Sequence, residues 1–372
     1  GGAHGEDFWN WRTTMYQVAE RLDPDRYHEL ALGVFGEMLD AGYTSVGEFH
    51  YLHHRPDGSR YPHHEMELAV AEAARQAGIR LTLLDTCYLH GGFGQPLEAG
   101  QKRFGDGSVE AWVQRWHELA DALPVDPRVR LGAALHSVRA VAPDELHHAI
   151  AGLPAEVPVH VHVSEQPAEN RACQEATGLT PTTVLERAGV LSTRTTVVHA
   201  THLSDEDLAM IARTGTTVSL CPTTEADLAD GIPRTADLVA AGVPLAIGSD
   251  ENVVTDPFAE LRMIESGVRL SSGRRGVVSN ERLWGCGAQV HSVLPELAAV
   301  DPQRPGLRVG DPADMVVISP DPARLAGVDP LRWPLTASEA DVTATIVAGQ
   351  RVPSHSPATL RSALHTLLEE DS

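Results

Sequence analysis

Val159-His-Val-His-Val-Ser-Glu-Gln166 joins a short apolar strand to side chains that can bind metal or carry protons. Alternate side chains of a strand point the same way, so His160 and His162 are predicted to share one face. A His-x-His pair at a barrel strand's end commonly presents two imidazoles to zinc. The same stretch also allows His162 to be the ligand while Glu165, just beyond the strand, handles protons. A third interpretation is a buried core histidine with satisfied hydrogen bonds.

Short β-rich runs recur along the chain, and each is followed by a helical stretch. The predicted strands are Ser45–His50, Arg80–Asp85, Arg130–Leu135, Val157–Val163, Thr195–His199, Thr216–Leu220 and Pro244–Gly248. Segments between them, such as Glu65–Gly78 and Phe258–Leu270, space apolar residues at the i, i+3, i+4 period of packed helices. This alternation predicts an α/β fold with a parallel sheet, doubly wound or closed into a barrel. No G-x-G-x-x-G turn follows a strand, which disfavours a dinucleotide fold.

A (β/α)8 TIM-like barrel needs eight strands, and seven are predicted. Two predicted helices, Asp7–Leu22 and Pro24–Asp40, precede the first of them. Helices that open a chain have no preceding strand to pack on. We therefore expect strand one to lie upstream of Gly1.

The last part of the chain has a different pattern. Arg308–Ile318 and Asp341–Val352 are β-rich with turn residues between them, and Ser356–Glu370 is predicted to be a terminal helix. We expect a barrel domain at residues 1–300. Residues 301–372 would form the C-terminal part of a small β-sandwich-like domain, with the boundary near Asp301.

The charge and amino-acid composition of the chain exclude several classes of binding partner. The 372-residue chain has 29 Lys and Arg against 51 Asp and Glu, a formal net charge of −22, which disfavours nucleic acid and anionic membranes. No apolar run reaches the roughly 18 residues that span a bilayer. The four cysteines are scattered without a C-x-x-C, which argues against a disulfide scaffold and fits a cytoplasmic protein.

Two further strand ends carry polar residues of the same kind. His199 ends one predicted strand, and Asp250 follows another. With His162 and Glu165, they occupy the C-terminal ends of three strands in order. That edge is the face on which (β/α)8 barrels carry their active sites.

This strand-end pattern resembles the amidohydrolase superfamily, in particular its cytosine-deaminase-like aminohydrolase branch. The motifs that narrow it are Gly47-Glu-Phe-His-Tyr-Leu-His-His54, Leu135-His-Ser-Val-Arg-Ala-Val141, Val198-His-Ala-Thr-His-Leu203 and Leu220-Cys-Pro-Thr-Thr-Glu-Ala-Asp-Leu-Ala-Asp-Gly231. With them, the chain resembles the formimidoylglutamate deiminase family from about Phe8 to its C-terminus. The resemblance implies a cytoplasmic homodimer that hydrolyses N-formimino-L-glutamate to N-formyl-L-glutamate and ammonia in histidine degradation.

The resemblance also implies a role for each strand-end residue. His162 and Asp250 would bind Zn²⁺ (or Fe²⁺), and Asp250 would also accept a proton from the attacking water. Glu165 would carry that proton to the departing nitrogen, and His199 would polarise the water or the tetrahedral intermediate. The chemistry needs such groups, since a formimino carbon is a weak electrophile and ammonia leaves only once protonated.

A small dianionic amino-acid substrate needs cations. The resemblance places Arg139, His136, Tyr51 and Arg12 around the glutamyl carboxylates. Arg grips a carboxylate through two parallel hydrogen bonds, and Arg139 has the best position because it follows a strand end. From the sequence alone, Arg12 is equally a solvated helix residue and Tyr51 a packing residue of a loop.

Two features depart from the family. Its opening His-x-His, which supplies two metal ligands from strand one, is absent, and we expect both ligands in an N-terminal segment preceding Gly1. Glu251-Asn-Val253 follows Asp250 where many relatives carry a Ser-His pair, which leaves the substrate open. The alternatives are another aminohydrolase, acting on a guanidino, purine or pyrimidine substrate, and a metal-free binding relative without turnover.

Other histidines and cysteines have plainer interpretations. His53-His54 and His63-His64 frame a turn and are expected in loops or at the surface. Cys221 is expected to be a small buried residue with no base beside it.

Overall fold

A parallel seven-stranded sheet dominates the computed structural model, which describes Met15, residues 18–288, Leu307 and residues 309–368. Its strands lie side by side in sequence order. They are β1 (Ser45–His50), β2 (Arg80–Cys87), β3 (Val129–Leu135), β4 (Val159–Val163), β5 (Thr195–His199), β6 (Thr217–Leu220) and β7 (Leu245–Ile247). All seven predicted strands are therefore present, with ends that differ from the prediction by at most two residues.

Within the described residues the sheet is a curled layer with two open edges. β1 pairs with β2, and β7 pairs with β6. An eighth strand, expected for a closed barrel, is not among the residues that the structure describes. The parallel α/β layer itself agrees with the prediction.

Helices connect the strands and cover the sheet. They are α1 (Pro24–Ala41), α2 (Glu65–Ala77), α3 (Val109–Ala122), α4 (Pro143–Gly152), α5 (Pro167–Thr177), α6 (Pro181–Arg187), α7 (Asp205–Thr214), α8 (Pro222–Asp227), α9 (Thr235–Ala240), α10 (Pro257–Ser272), α11 (Asn280–Gly287) and α12 (Pro357–Leu368). Several begin at an oxygen-bearing cap: Ser108 Oγ, for example, accepts the backbone N–H of Ala111 at 3.2 Å. No helix in the described ranges has both the length and the apolar character needed to cross a membrane.

Packing of β4 determines where its histidines point. Val159, Val161 and Val163 are fully buried in the main apolar core. Because side chains alternate along a strand, His160 and His162 lie on the opposite face, where both rings contact Phe49 of β1. The prediction that the two histidines share a face is confirmed.

A second, antiparallel sheet consists of β8 (Met315–Ile318), β9 (Val342–Val347) and β10 (Gln350–Arg351). It lies against α1, where Thr345 Oγ1 donates to the Leu39 carbonyl at 2.6 Å. Helix α12 also packs on α1, so closely that a Cβ on Gly33 would lie 2.7 Å from the Cα of Leu360. The predicted domain boundary near Asp301 lies outside the described residues.

A buried ionic cluster lies behind the C-terminal ends of β1 and β2. Arg115 of α3 donates to both oxygens of Asp85 at 2.7 and 2.9 Å, to both of Asp106 at 2.9 and 3.0 Å, and to Glu67 at 3.2 Å. Burial opposes the guanidinium charge, but the three carboxylates raise the pKa of Arg115 above its ordinary value. One cation thus links α2, α3 and β2.

The two neighbouring histidines His53 and His54 belong to the same cluster. His53 Nε2 donates to the Thr86 carbonyl at 2.9 Å, and its Nδ1 lies 2.9 Å from Glu67 Oε1. His53 therefore joins α2 to β2 within the cluster. His54 Nε2 lies 3.1 Å from Asp106. Both histidines lie in a loop, as expected, but they are only 2% exposed and so are not surface residues.

We expect Arg115→Met to destabilise the fold strongly, because it leaves buried carboxylates facing one another without a guanidinium. The expected loss is about 3–5 kcal/mol in the free energy of unfolding, measured by urea denaturation followed by circular dichroism. Arg75→Met is the matched control. Arg75 pairs with Glu72 on the surface, where both side chains are more than 40% exposed, so its loss should stay below about 1 kcal/mol. Equal losses in the two variants would contradict the structural role of the cluster.

Candidate active site

Three strand ends that carry predicted site residues have left-handed backbone. The φ angles are +51° at Ser164 after β4, +67° at His199 and +52° at Ala200 at the end of β5, and +44° at Asp250 after β7. Non-glycine residues adopt this region rarely, and such strain concentrates at functional sites. Here the turns redirect the chain as each strand ends, at one common edge of the sheet.

His199 lies at the centre of the site. Its Nε2 is 3.8 Å from Glu165 Oε1 and 3.7 Å from Asp250 Oδ2, and its Nδ1 is 3.5 Å from Glu225 Oε1. Burial alone would lower the pKa of His199, but the Glu165 carboxylate and the neighbouring Cys221 and Glu225 side chains raise it well above its ordinary value. The structure therefore brings together the three predicted catalytic residues, Glu165, His199 and Asp250.

His162 is held in the form that a metal ligand needs. Its Nδ1–H donates to the backbone carbonyl of His136 at 2.9 Å, which leaves Nε2 unprotonated and available. Desolvation, together with the nearby His199, lowers the pKa of His162 to about 3, so the ring is neutral. The ring stacks on Phe49, with centroids 4.3 Å apart, and lies 5.7 Å from the ring of His199.

The donor atoms fit a divalent metal such as zinc or iron. His199, Cys221 and Asp250 place one donor atom each within 4.8 Å of one another. His162 lies outside this group, with its ring stacked on that of His199 at 5.7 Å. Imidazole nitrogen and carboxylate oxygen are ligands that suit both metals. The chemistry of the donor set is therefore compatible with the predicted metal, which His162 and Asp250 would share.

The pKa of Asp250 is raised above its ordinary value. Desolvation is the largest cause, and the carboxylates of Glu165 and Glu225 act in the same direction, whereas His199 opposes them. A cluster of carboxylates around one imidazole favours any cation that enters it.

Sequence reasoning missed three residues of the site. Glu225 and Asp230 are 2% and 3% exposed and face His199. Burial first, and then Glu165, raise the pKa of Asp230 to about 7. Cys221 was expected to have no base beside it, which was wrong, because its Sγ lies within 4.8 Å of a ring nitrogen of His199. All three lie in the motif Leu220–Gly231, which marked the place without indicating a mechanism.

Two of the predicted substrate-binding residues, His136 and Tyr51, lie near His162, one of the predicted metal ligands. The ring of His136 is 5.2 Å from that of His162 and 5.9 Å from that of Tyr51. Arg139 acts electrostatically on His162, and its Nε is buried with no hydrogen-bond partner in the described part of the chain. A buried guanidinium N–H without a partner is costly, and it offers a donor to an anionic ligand. Arg12 lies outside the described residues.

Comparison with known proteins gives concordant matches. The chain is 37% identical to the formimidoylglutamate deiminase of Pseudomonas aeruginosa over 94% of its own length and 79% of that protein. Its structure superposes on a crystal structure of an amidohydrolase from Brucella melitensis with a TM-score of 0.87 and 35% identity, covering 99% of this chain and 84% of that one. An adenosine deaminase from Xanthomonas campestris, solved with bound zinc, has the same fold at 20% identity, with a TM-score of 0.79 and coverage of 98% and 80%.

These matches confirm the resemblance inferred from the four motifs. Residues 2–290 match the amidohydrolase family, which is more than half of the chain. The parallel sheet, the residues gathered at its C-terminal edge and the relatives agree, and the chain belongs to the amidohydrolase family.

Proposed function

We propose that the protein catalyses the metal-dependent hydrolysis of N-formimino-L-glutamate to N-formyl-L-glutamate and ammonia, a deimination in histidine degradation. One observation carries the proposal: His199 lies within 4 Å of both Glu165 and Asp250, in a chain 37% identical to a formimidoylglutamate deiminase. In the reaction, the water oxygen bonds to the formimino carbon. The C=N nitrogen leaves as ammonia.

His162 and Asp250 would hold the metal, and the resemblance implies two further histidine ligands. When bound, Zn²⁺ or Fe²⁺ supplies Lewis acidity and lowers the pKa of water from about 16 toward 7. The neutral His162 ring, fixed by the His136 carbonyl, supports this assignment. X-ray absorption spectroscopy of the metal-loaded protein tests the number and type of these ligands.

Proton transfer falls to the carboxylates around His199. Asp250 would accept a proton from the attacking water, and Glu165 would pass it to the departing nitrogen. His199, 3.8 Å from Glu165 and 3.7 Å from Asp250, would polarise the attacking water or the tetrahedral intermediate. Such positioned acid–base groups contribute roughly 10²–10⁴ in rate.

Recognition of the glutamyl carboxylates would fall to Arg139, His136, Tyr51 and Arg12. The buried unpartnered Nε of Arg139 favours an anionic substrate over a neutral purine or pyrimidine. The close approach of Glu165, His199 and Asp250 argues against a binding relative without turnover, because a binder needs no proton-transfer groups.

We also propose a cytoplasmic homodimer, which the resemblance implies. Light scattering of the purified protein and fractionation of the host cell test the two parts separately. A monomer, or recovery outside the cytoplasm, would refute the corresponding part.

The direct test is release of ammonia from N-formimino-L-glutamate by the full-length protein, with zinc and iron content measured on the same sample. We expect turnover in the metal-loaded protein and its loss after chelation. Adenine, cytosine and guanidino compounds serve as competing substrates. A metal-loaded protein that turns over one of these, and not N-formimino-L-glutamate, would overturn the assignment.

Arg139→Met should raise KM about 10- to 100-fold and leave kcat nearly unchanged, because a charge-assisted carboxylate contact contributes to binding in ground and transition states alike. Steady-state ammonia release measures both constants. Arg187→Met, at the exposed end of α6, is the control and should behave as the parent. A change confined to kcat would count against carboxylate binding by Arg139.

Glu165→Gln should lower kcat by roughly 10²–10⁴ with little change in KM, because the amide cannot carry the proton. The same assay checks it. Glu186→Gln, a surface residue paired with Arg213, controls for a change of one charge. Retained kcat in Glu165→Gln would remove Glu165 from the proton path.

A further inference from the structure

Asp230 connects the loop after β6 to the loop that carries Glu165. The residue is 3% exposed. Its Oδ1 accepts a hydrogen bond from the side-chain amide of Gln166, which is 64 residues away in the sequence and adjacent to Glu165. A partly buried side-chain hydrogen bond therefore joins the two strand-end loops.

The loop after β5 joins the same junction. His202 Nε2 donates to the backbone carbonyl of Asp230 at 2.8 Å. The carbonyl of His202 in turn accepts from Asn170 Nδ2 at 2.8 Å. Asp230 thus lies where the loops after β4, β5 and β6 meet, with a carboxylate oxygen within 4.8 Å of His199.

Glu165 itself depends on its surroundings for its position. Within the described residues no hydrogen bond to its carboxylate is present, and its ion-pair partner is His199 at 3.8 Å. Its backbone N–H donates to Glu169 at 3.2 Å. The contacts that fix Glu165 are therefore those of its loop: Glu169 on its own backbone and Asp230 on the next residue.

The second carboxylate oxygen of Asp230 contributes no hydrogen bond to the stability of the fold within the described residues. Oδ2 is buried and has no hydrogen-bond partner in the described part of the chain. The Asp230 carboxylate also lies in one group with Glu165 and His199, with donor atoms within 4.8 Å. Burying a carboxylate beside another with one oxygen unsatisfied is unfavourable for folding alone.

We propose that Asp230 is a positioning residue that holds Glu165 for proton transfer by fixing Gln166. The inference rests on the proposed function, because it assumes that Glu165 carries the proton to the leaving nitrogen. Asp230 touches neither substrate nor reacting atoms in this assignment. Its effect on the reaction passes through the Gln166 contact and the loop.

Asp230→Ala removes the acceptor of the Gln166 bond, whereas Asp230→Asn keeps an amide oxygen in its place. We expect kcat for ammonia release to fall about 10- to 100-fold in Asp230→Ala with KM within about twofold, since small misplacements of a catalytic group cost this much. Asp230→Asn should restore most of the rate. Asp237→Ala, an exposed carboxylate of α9, is the control, and metal content and thermal melting are measured on every variant.

Double variants identify the route of the effect. Gln166→Ala should lower kcat as Asp230→Ala does, and the double variant should be no worse than either single one. In a Glu165→Gln background, Asp230→Ala should have no further effect. Additive losses in either pair, or a raised KM, would assign Asp230 to substrate or metal instead and overturn the proposal. Should Asp230→Ala fail to fold, Gln166→Ala with and without Glu165→Gln gives the same decision.

The activity of the parent enzyme distinguishes a failure of the proposed function from a failure of the role proposed for Asp230. If the parent releases no ammonia from N-formimino-L-glutamate, the proposed function fails. If the parent is active and Asp230→Ala keeps its kcat, only the positioning role of Asp230 fails.

Discussion

Parallel pairing of consecutive strands is the constraint on which the site depends. A parallel sheet runs all its strands in one direction, so every C-terminal end meets at one edge. His162, His199 and Asp250 come from β4, β5 and the end of β7, and they converge for this reason alone. Left-handed backbone at Ser164, His199 and Asp250 then redirects the polypeptide where each of these strands ends.

Two clusters of buried charged groups differ in how their carboxylates are partnered. Behind β1 and β2, Arg115 pairs with the three buried carboxylates of Glu67, Asp85 and Asp106, and His53 lies beside Glu67. Around the His199 ring lie four carboxyl groups of the described residues, those of Glu165, Glu225, Asp230 and Asp250. The first arrangement stabilises a fold, since each charge has partners. The second leaves negative charge uncompensated, which suits a site that binds a cation.

Much of the fold could be predicted, because the spacing of apolar residues that marks a strand or a helix is a property of a short stretch of sequence. Every predicted strand is present, and the terminal helix was predicted within two residues at each end. Burial of His53 and His54 was not predictable, because their partners Glu67 and Asp106 come from distant segments. Neither was the Cys221 contact with His199, which joins the ends of β5 and β6.

The sequence by itself determined the order of strands and which polar side chains end them, because periodicity and neighbour identity are properties of the chain. Only the tertiary structure decided the state of those side chains. The neutral, Nδ1-protonated ring of His162 depends on the carbonyl of His136, 26 residues away. The place of Asp230 beside Glu165 depends on a contact across 64 residues. Hydrogen bonding and desolvation act through space, and the sequence pattern does not record which distant groups will meet.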